Sequence, residues 1–314
     1  METTARRSVR LIAACALAIG LSGFAPAGPL APPAAAAAPA GRPTRIISLV
    51  PAVTEMLFAI GAGPRVVAVS SYDHEPPQVN RLPRVGALLD PDLERILTLR
   101  PDLVIVDPSQ RGLMQQLARA GIASFPVGTA GLQAIMTTIR RLGARVGSAP
   151  DADALADRLT RQLDAVRAAV AGRPRPRTLL VFERTPFALS GIYASGGVGF
   201  LSDMLQIAGG DNVFAGVKRQ SVQISTETVL ELAPQVILEL HERPMSPVDL
   251  ARDRDSWQVL GSVPAVRHHR VELLVGNDLM VPGPRIAEAT EQLARALHPD
   301  VDWKAVRGEM KDKE

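Results

Sequence analysis

The apolar and polar positions of this chain follow a pattern that occurs twice. Residues 92–107 contain mixed polar and apolar positions, a proline and then an apolar run, and residues 225–240 repeat this pattern 133 positions later. Glu94 in the first copy therefore corresponds to Glu227 in the second. Because proline stops a helix and a short apolar run is typical of a buried strand, each copy predicts a short helix followed by a buried strand.

A second repeated pattern supports a chain built from two similar halves. Residues 54–61 and 202–209 share a hydroxyl residue, an acid, a Met-Leu pair and a final glycine. Hydroxyl residues are typical of helix N-caps and glycine of helix C-terminal ends, so each copy predicts a helix. Two similar halves predict two α/β lobes, and a cleft between two lobes is a common place for a ligand.

Between the halves, apolar residues recur at helical spacing from Ala149 to Gly172. This spacing predicts one continuous helix of roughly 22 residues, about 33 Å long at about 1.5 Å per residue. It could join two lobes as a stiff strut or pack on one lobe alone. The predicted parts of the chain are a signal peptide and Pro/Ala-rich linker (1–40), an N-terminal lobe (44–148), a connecting helix (149–173), a C-terminal lobe (177–300) and a polar tail (301–314).

The N-terminal segment has the pattern of an export signal. Three arginines precede an apolar run from Leu11 to Phe24, and small residues, alanine and proline follow. This run is shorter than the ~20 residues that span a bilayer, so it predicts a cleaved signal peptide and a periplasmic protein rather than an uncleaved anchor. Cys15 lies inside the apolar run, which makes a lipoprotein the less favoured alternative.

Charge and cysteine content then exclude several classes of function. The formal net charge is +3, and the predicted signal segment accounts for most of it, so the mature chain is nearly neutral and carries no signature of nucleic-acid binding. Cys15 is the only cysteine, so disulfide and thiolate chemistry are excluded from the predicted mature chain.

Motifs of enzymes and of metal sites are also missing from the sequence. There is no Gly-x-Gly-x-x-Gly directly after a strand, no Gly-x-Ser-x-Gly, no Walker loop and no His-Glu-x-x-His. The glycine-rich residues 196–199 instead predict a loop that opens a helix and lets the backbone approach the cleft. We therefore expect neither catalytic residues nor a dedicated protein-metal site.

Several segments resemble the helical-backbone class of periplasmic solute-binding proteins, which serve ABC importers of cobalamin, ferric siderophores and haem. The resemblance extends from residue 44 to about residue 298 and is carried by residues 45–63, 67–72, 76–77, 93–96, 100–105, 208–214, 223–230 and 284–286. It implies an α/β fold with two Rossmann-like lobes joined by a single long helix, and a ligand cleft between the lobes.

The resemblance also implies a partner. In this class, one glutamate on each lobe pairs with arginines of a dimeric membrane permease, and those positions fall on Glu94 and Glu227. This agrees with the internal repeat, because a monomeric protein must present the same acid twice to a two-fold partner. The alternative is that both acids only stabilise the helix macrodipole, worth ~0.3–1 kcal/mol each.

Loops that follow the C-terminal ends of strands meet the ligand in lobes of this kind. Arginines in those loops suit an anionic ligand, although arginine at a loop tip is also a common surface residue. The segments that correspond to the tryptophans of cobalamin-binding members, residues 87–89 and 220–222, contain no aromatic residue. The residues predicted to line the cleft are Pro51, Tyr72, Leu88, Arg111, Arg184, Arg219, His241, Asp278 and Met280.

These observations predict a periplasmic substrate-binding component of an ABC importer. We expect it to be a monomer without an intrinsic cofactor, which binds a metal chelate, either cobalamin or another corrinoid or a ferric siderophore, and delivers it to the permease. One alternative is haem transport, with Tyr72, His74 or His241 as an axial ligand to iron. Another is an exported interaction protein that has kept the fold and binds no small ligand.

Overall fold

The computed structural model describes residues 41–128 and 130–311, and the predicted signal peptide lies outside the described residues. The first half of the described chain alternates strands and helices, as the apolar runs and the helical periodicity predict. Its elements are β1 (Ile46–Ser48), α1 (Pro51–Ala59), β2 (Val66–Val69), α2 (Leu93–Thr98), β3 (Leu103–Val106), α3 (Arg111–Arg119), β4 (Ala123–Pro126) and α4 (Leu132–Val146), with 3₁₀ turns at Gly63–Arg65 and Pro77–Arg81.

The second half follows a connecting helix, α5 (Ala149–Ala169). Its elements are β5 (Arg177–Glu183), β6 (Ile192–Ser195), α6 (Phe200–Ile207), β7 (Asp211–Asn212), β8 (Ser221–Ile224), α7 (Thr226–Leu232), β9 (Val236–His241), α8 (Pro247–Asp255), a 3₁₀ turn (Ser256–Leu260), α9 (Pro264–Arg267), β10 (Val271–Val275), α10 (Ile286–Leu297) and α11 (Trp303–Lys311).

Each half forms its own sheet. The first sheet has the strand order β2-β1-β3-β4, and all of its pairs are parallel. The second has the order β10-β9-β5-β6-β8, with β7 beside β5. Here β6 pairs antiparallel with both β5 and β8, so the second lobe departs from an all-parallel Rossmann sheet. The two-lobed α/β architecture is as predicted.

The repeat of residues 92–107 and 225–240 is present in the structure. Each copy is a short helix, α2 or α7, followed by a buried strand, β3 or β9. The correspondence extends to the backbone, because Arg100 (φ 47°) and Ala233 (φ 43°) take the left-handed conformation at matched positions directly before the proline. Side chains rarely adopt this conformation, so both copies end their helix with the same strained turn.

For the second repeat, residues 54–61 and 202–209, the predicted helix ends at glycine are confirmed, but the predicted N-caps are wrong. Gly61 (φ 73°) and Gly209 (φ 82°) end their helices in the left-handed conformation. Thr54 and Ser202, however, lie inside α1 and α6 rather than at their N-caps. The helix α1 begins earlier because Pro51 occupies its first turn, where proline is well suited.

The connecting helix contacts both lobes. It has 21 residues and packs against α4 of the first lobe and against α6 and α10 of the second. Its apolar stripe, which includes Leu155, Leu159 and Leu163, is buried. The helix therefore joins the lobes as a strut and ends three residues before the predicted Gly172.

The acids of the second repeat hold the two lobes together. Glu55 of α1 accepts hydrogen bonds from Arg285 Nε at 2.9 Å and Nη2 at 2.7 Å, just before α10 of the other lobe. Its counterpart Asp203 of α6 accepts a hydrogen bond from the backbone nitrogen of Leu132 at 2.9 Å, at the start of α4 in the first lobe. Each lobe thus has one acid that accepts hydrogen bonds from the opposite lobe.

The predicted polar tail is partly a packed helix. Trp303 is buried in the main apolar core, and its indole nitrogen donates to the carbonyl of His298 at 3.0 Å. Arg307 Nε contacts Glu291 of α10 at 2.9 Å. The apolar content of residues 301–306 is what anchors α11, and the prediction overlooked it.

Candidate functional site

Three cavities share lining residues, and we call them together the cleft. The central cavity, about 610 Å³, is lined by residues of the second lobe that include Phe182, His241 and Met280. A second cavity of about 330 Å³ shares Phe182 and Met280 with it and extends to Val198 and Gln220.

The third cavity brings the first lobe into the cleft. It has about 590 Å³ and is lined by Tyr72 and His74 of the first lobe, which face Glu242, Arg243 and the end of β10. Glu242 and Arg243 also line the central cavity. The predicted position of a ligand between two lobes is therefore a real space in the structure.

A buried aspartate places Tyr72 and His74 in the cleft. Asp73 between them is fully buried, and its carboxylate accepts hydrogen bonds from the backbone nitrogen of Ser70 at 2.8 Å and from the Ser70 hydroxyl. Arg84 donates to the carbonyl of Asp73 at 2.6 Å. Burial raises the pKa of Asp73. Because Asp73 points inward, its neighbours point outward and are exposed.

A glycine loop shapes the other end of the cleft. Gly199 has φ of 96° and precedes α6 as its N-cap. A Cβ atom at this position would lie 3.1 Å from the side chain of Gln220 and 3.2 Å from the carbonyl of Ala130. Only glycine allows this approach, which agrees with the prediction that the glycine-rich loop opens a helix beside the cleft.

Arg184 lines the central cavity, but its guanidinium is already paired. Its Nε lies 2.7 Å from Glu239 Oε1 and its Nη2 lies 2.8 Å from Asp253 Oδ1, and each of these side chains is only 2% exposed. Nη1 donates to the carbonyl of Ala188 at 3.1 Å. The prediction that the Arg184 guanidinium is available to bind an anionic ligand is therefore corrected, because this guanidinium neutralises two buried acids.

The same acids meet His241 and Trp257. The Trp257 indole nitrogen donates to Glu239 Oε2 at 2.9 Å. His241 Nε2 is 3.3 Å from Glu239 and 3.6 Å from Asp253. Burial alone would raise the pKa of Glu239, but the contact with His241, the charge of Arg184 and the bond from Trp257 outweigh it and lower that pKa.

This cluster contains the kinds of ligand that a metal ion uses. Potential ligand atoms of Glu239, His241 and Asp253 lie within 4.8 Å of one another, the one such group found within the described residues. No motif in the sequence predicts this group, because the three residues come from two different elements, β9 and α8. Arg184 bonds to both carboxylates, and its positive charge opposes a cation at the same place.

The other predicted cleft residues differ in their surroundings. Met280 lies between two of the cavities. Asp278 is buried and accepts a hydrogen bond from Gln292 Nε2 at 2.7 Å, so its carboxylate is engaged with α10. Arg219 is exposed beside β8, where Gln220 and Ser221 line the cavity.

The remaining three lie on the first lobe. Pro51 is in the first turn of α1 and is half-buried. Leu88 is exposed, and its carbonyl accepts a hydrogen bond from Gln110 Nε2 at 3.0 Å. Arg111 begins α3 and is exposed. Their part in ligand binding stays a prediction.

The two predicted docking glutamates are both on the surface. Glu94 lies in the first turn of α2 and Glu227 in the first turn of α7. Neither forms an ion pair with another described residue. A hydrogen bond with Ser225 lowers the pKa of Glu227, which keeps its carboxylate ionised.

Sequence reasoning missed several residues of the cleft and its walls. Phe182 at the end of β5 lines two cavities, and Arg243 after β9 lines two as well. The one available signal was Glu239, an acid inside the apolar run Val236–Leu240. A buried acid needs a partner, and that partner is Arg184.

The family model for periplasmic binding proteins matches residues 46–275, which cover the strands of both sheets and most of the residues that line the cleft. The chain belongs to the periplasmic binding protein family. No helix within the described residues is long and apolar enough to cross a membrane. Three similar proteins show the range of this family.

This periplasmic binding protein is 28% identical to the uncharacterised ABC transporter substrate-binding lipoprotein YvrC of Bacillus subtilis, over 82% of this chain and 81% of the other. The structure of the periplasmic vitamin B12-binding protein BtuF of Vibrio cholerae matches with a TM-score of 0.69 and 30% identity, over 82% of this chain and 97% of that one. The periplasmic haem-binding protein RhuT of Roseiflexus matches with a TM-score of 0.68 and 26% identity, over 82% and 99%.

Proposed function

We propose that this protein is the periplasmic substrate-binding component of an ABC importer, and that it captures a metal chelate in the cleft and delivers it to a membrane permease. The observation that carries the proposal is the cleft itself, in which cavities of about 610, 330 and 590 Å³ share lining residues and involve both lobes. Binding and release need no covalent chemistry, so no catalytic residue is assigned.

The walls of the cleft suit a broad ligand with apolar faces and a charged edge. Tyr72, Phe182, Val198 and Met280 offer apolar surface along its length, and flat contact with an aromatic ring favours a planar ligand. Glu242 and Arg243 place one negative and one positive charge near the centre of the cleft. A corrinoid or a ferric siderophore combines these properties, and the B12-binding relative supports the first. The chelate is cargo rather than a resident cofactor.

Haem is a second candidate, favoured by the position of Tyr72 and His74. Both line the same cavity and are exposed, and phenolate and imidazole are axial ligands of haem iron. His241 Nε2 is turned toward Glu239 and Asp253 instead. Of the three axial ligands predicted from the sequence, the geometry therefore favours Tyr72 and His74 over His241.

Delivery requires docking on the permease, and we assign this role to Glu94 and Glu227. Both are exposed and lack an ion-pair partner among the described residues, so each is free to pair with an arginine of the partner. A permease dimer repeats its basic pocket twice, which fits one monomer with two equivalent acids. The N-terminal pattern places the mature protein in the periplasm after signal-peptide cleavage, with a lipoprotein as the alternative form.

The proposal can be tested by calorimetric and visible-absorption titration of the purified protein with cyanocobalamin, dicyanocobinamide, haemin and ferrichrome. We expect at least one to bind with a Kd of about 1 µM or below, which corresponds to about −8 kcal/mol. Met280→Glu places a charge between two cavities and should weaken that binding at least about tenfold.

Val259→Glu is the matched control, because Val259 is exposed and lies on the 3₁₀ turn Ser256–Leu260. It should bind as the wild type does. If haemin is the ligand, Tyr72→Phe should shift the Soret band. Absence of binding for all four compounds, or wild-type affinity in Met280→Glu, would overturn the proposal and favour the interaction protein that binds no small ligand.

A further inference from the structure

The exposed faces of α2 and α7 share more than their acids. At the offset of 133, Leu97 of α2 corresponds to Leu230 of α7. Both leucines are partly exposed, Leu97 by 38% and Leu230 by 43%. Each lies three residues after a docking glutamate, a spacing that puts two side chains next to each other on a helix surface. Each lobe therefore presents an acid beside an apolar side chain.

Two neighbouring positions of these helices outside the core do not match. Arg95 corresponds to Thr228, and Thr98 corresponds to Glu231. Positions inside the core keep similar side chains because packing requires it, as at Ile96 and Val229, which are both buried. Packing does not require an exposed leucine in either copy. A shared requirement outside the lobes accounts for the identical exposed glutamate and leucine in two helices whose neighbouring surface positions differ.

We infer that Glu94 with Leu97, and Glu227 with Leu230, are two equivalent docking units for a two-fold symmetric membrane partner, in which each leucine enters an apolar pocket next to a basic group. This inference rests on the proposed function and adds the apolar half of the contact. The acid fixes position through charge, and the leucine supplies affinity by burying its remaining exposed surface.

The charge and the repetition of the two units point to a symmetric dimeric permease as the partner. Both units are negative and apolar, so the complementary surface is positive and apolar. A partner with one such pocket would use one unit and leave no reason for the second. Two copies of the same pocket, related by a two-fold axis, use both units at once.

Binding to spheroplasts of the source organism tests the inference, with fluorescently labelled full-length protein as the probe. The double variant Leu97→Ser and Leu230→Ser should bind about tenfold more weakly than the wild type, with unchanged ligand titration and circular dichroism. Val248→Ser with Val259→Ser is the matched control, because both valines are exposed and have no counterpart in the repeat. The control should bind as the wild type does.

A cross-linking experiment tests the symmetry. In a Cys15→Ser chain, either Leu97→Cys or Leu230→Cys provides a single site for a benzophenone maleimide. After illumination on spheroplasts, both sites should cross-link to the same peptide of the same membrane protein.

Wild-type binding that survives the double leucine change, or cross-links to two different polypeptides, would overturn the inference and leave the proposed function intact. Failure of the wild type to bind spheroplasts saturably would overturn the inference together with delivery to a permease. The ligand titration with purified protein needs no membrane, so it separates a failure of docking from a failure of ligand capture.

Discussion

Removal of the charge of Glu55 should loosen the contact between the lobes by a measurable free energy. Arg285 contacts Glu55 with two nitrogens, and the side chains are 27% and 9% exposed. Removal of one partner from a fully buried pair costs about 3–5 kcal/mol. Because Arg285 keeps some exposure to water and also donates to Asn277, we expect Glu55→Gln to lose about 2 kcal/mol of unfolding free energy.

Urea unfolding measures this loss, followed by far-ultraviolet circular dichroism and by tryptophan fluorescence in parallel. Coincident transitions would justify a two-state analysis. Asp203→Asn removes the matched acid from the other lobe, where it caps a helix, and should cost about 1 kcal/mol.

Glu94→Gln is the surface control and should stay within about 0.5 kcal/mol of the wild type. If Glu55→Gln lost no more than this control, the bidentate pair would not hold the lobes together. A larger loss in Asp203→Asn than in Glu55→Gln would contradict the expected order and make the cap on α4 the stronger contact between the lobes.

Two further predictions concern residues that lie just before the strands β9 and β3. Ala233→Gly should raise the unfolding free energy by about 1 kcal/mol in the same urea assay, because Ala233 has φ of 43°; a loss of stability would show that the turn is not strained. Burial alone would raise the pKa of Asp102, but hydrogen bonds from Thr44 and Arg45 outweigh it and lower that pKa below its ordinary value. The stabilisation by the Asp102 carboxylate is therefore present above about pH 4 and lost as the pH falls through the lowered pKa. Asp102→Asn should be about 1 kcal/mol less stable than wild type at pH 7, with a difference that narrows as the pH falls below about 4; a difference that does not narrow on acidification would contradict this.

Local patterns in the sequence predicted the parts of the fold that depend on neighbouring residues. Helical spacing predicted α5, and the proline after each short helix predicted the start of β3 and β9. The left-handed glycine at position 61 was also predicted, since its helix ends there. These features depend on backbone preferences within a few residues.

The sequence was less informative where distant residues meet. The antiparallel strand β6 was not predicted, because strand direction depends on pairing partners rather than on apolar pattern. Arg184 follows a strand and looked like a cleft arginine, yet Glu239 and Asp253 come to it from separate elements. The burial of Arg184, Glu239 and Asp253 is a property of the folded lobe, so only the structure shows that this arginine is already paired with two acids.

The duplication placed two pairs of acids at matched positions, and burial separates their functions. Glu55 and Asp203 point toward the opposite lobe and are engaged there, whereas Glu94 and Glu227 are exposed. Burial of a charge without a partner costs free energy, whereas an exposed charge is solvated by water and stays available to pair with a charge on another protein. Substitution of the inward pair should therefore lower stability and spare membrane docking, and substitution of the outward pair should do the reverse. One repeated architecture thus holds the lobes together from the inside and presents matching surfaces to a symmetric partner on the outside.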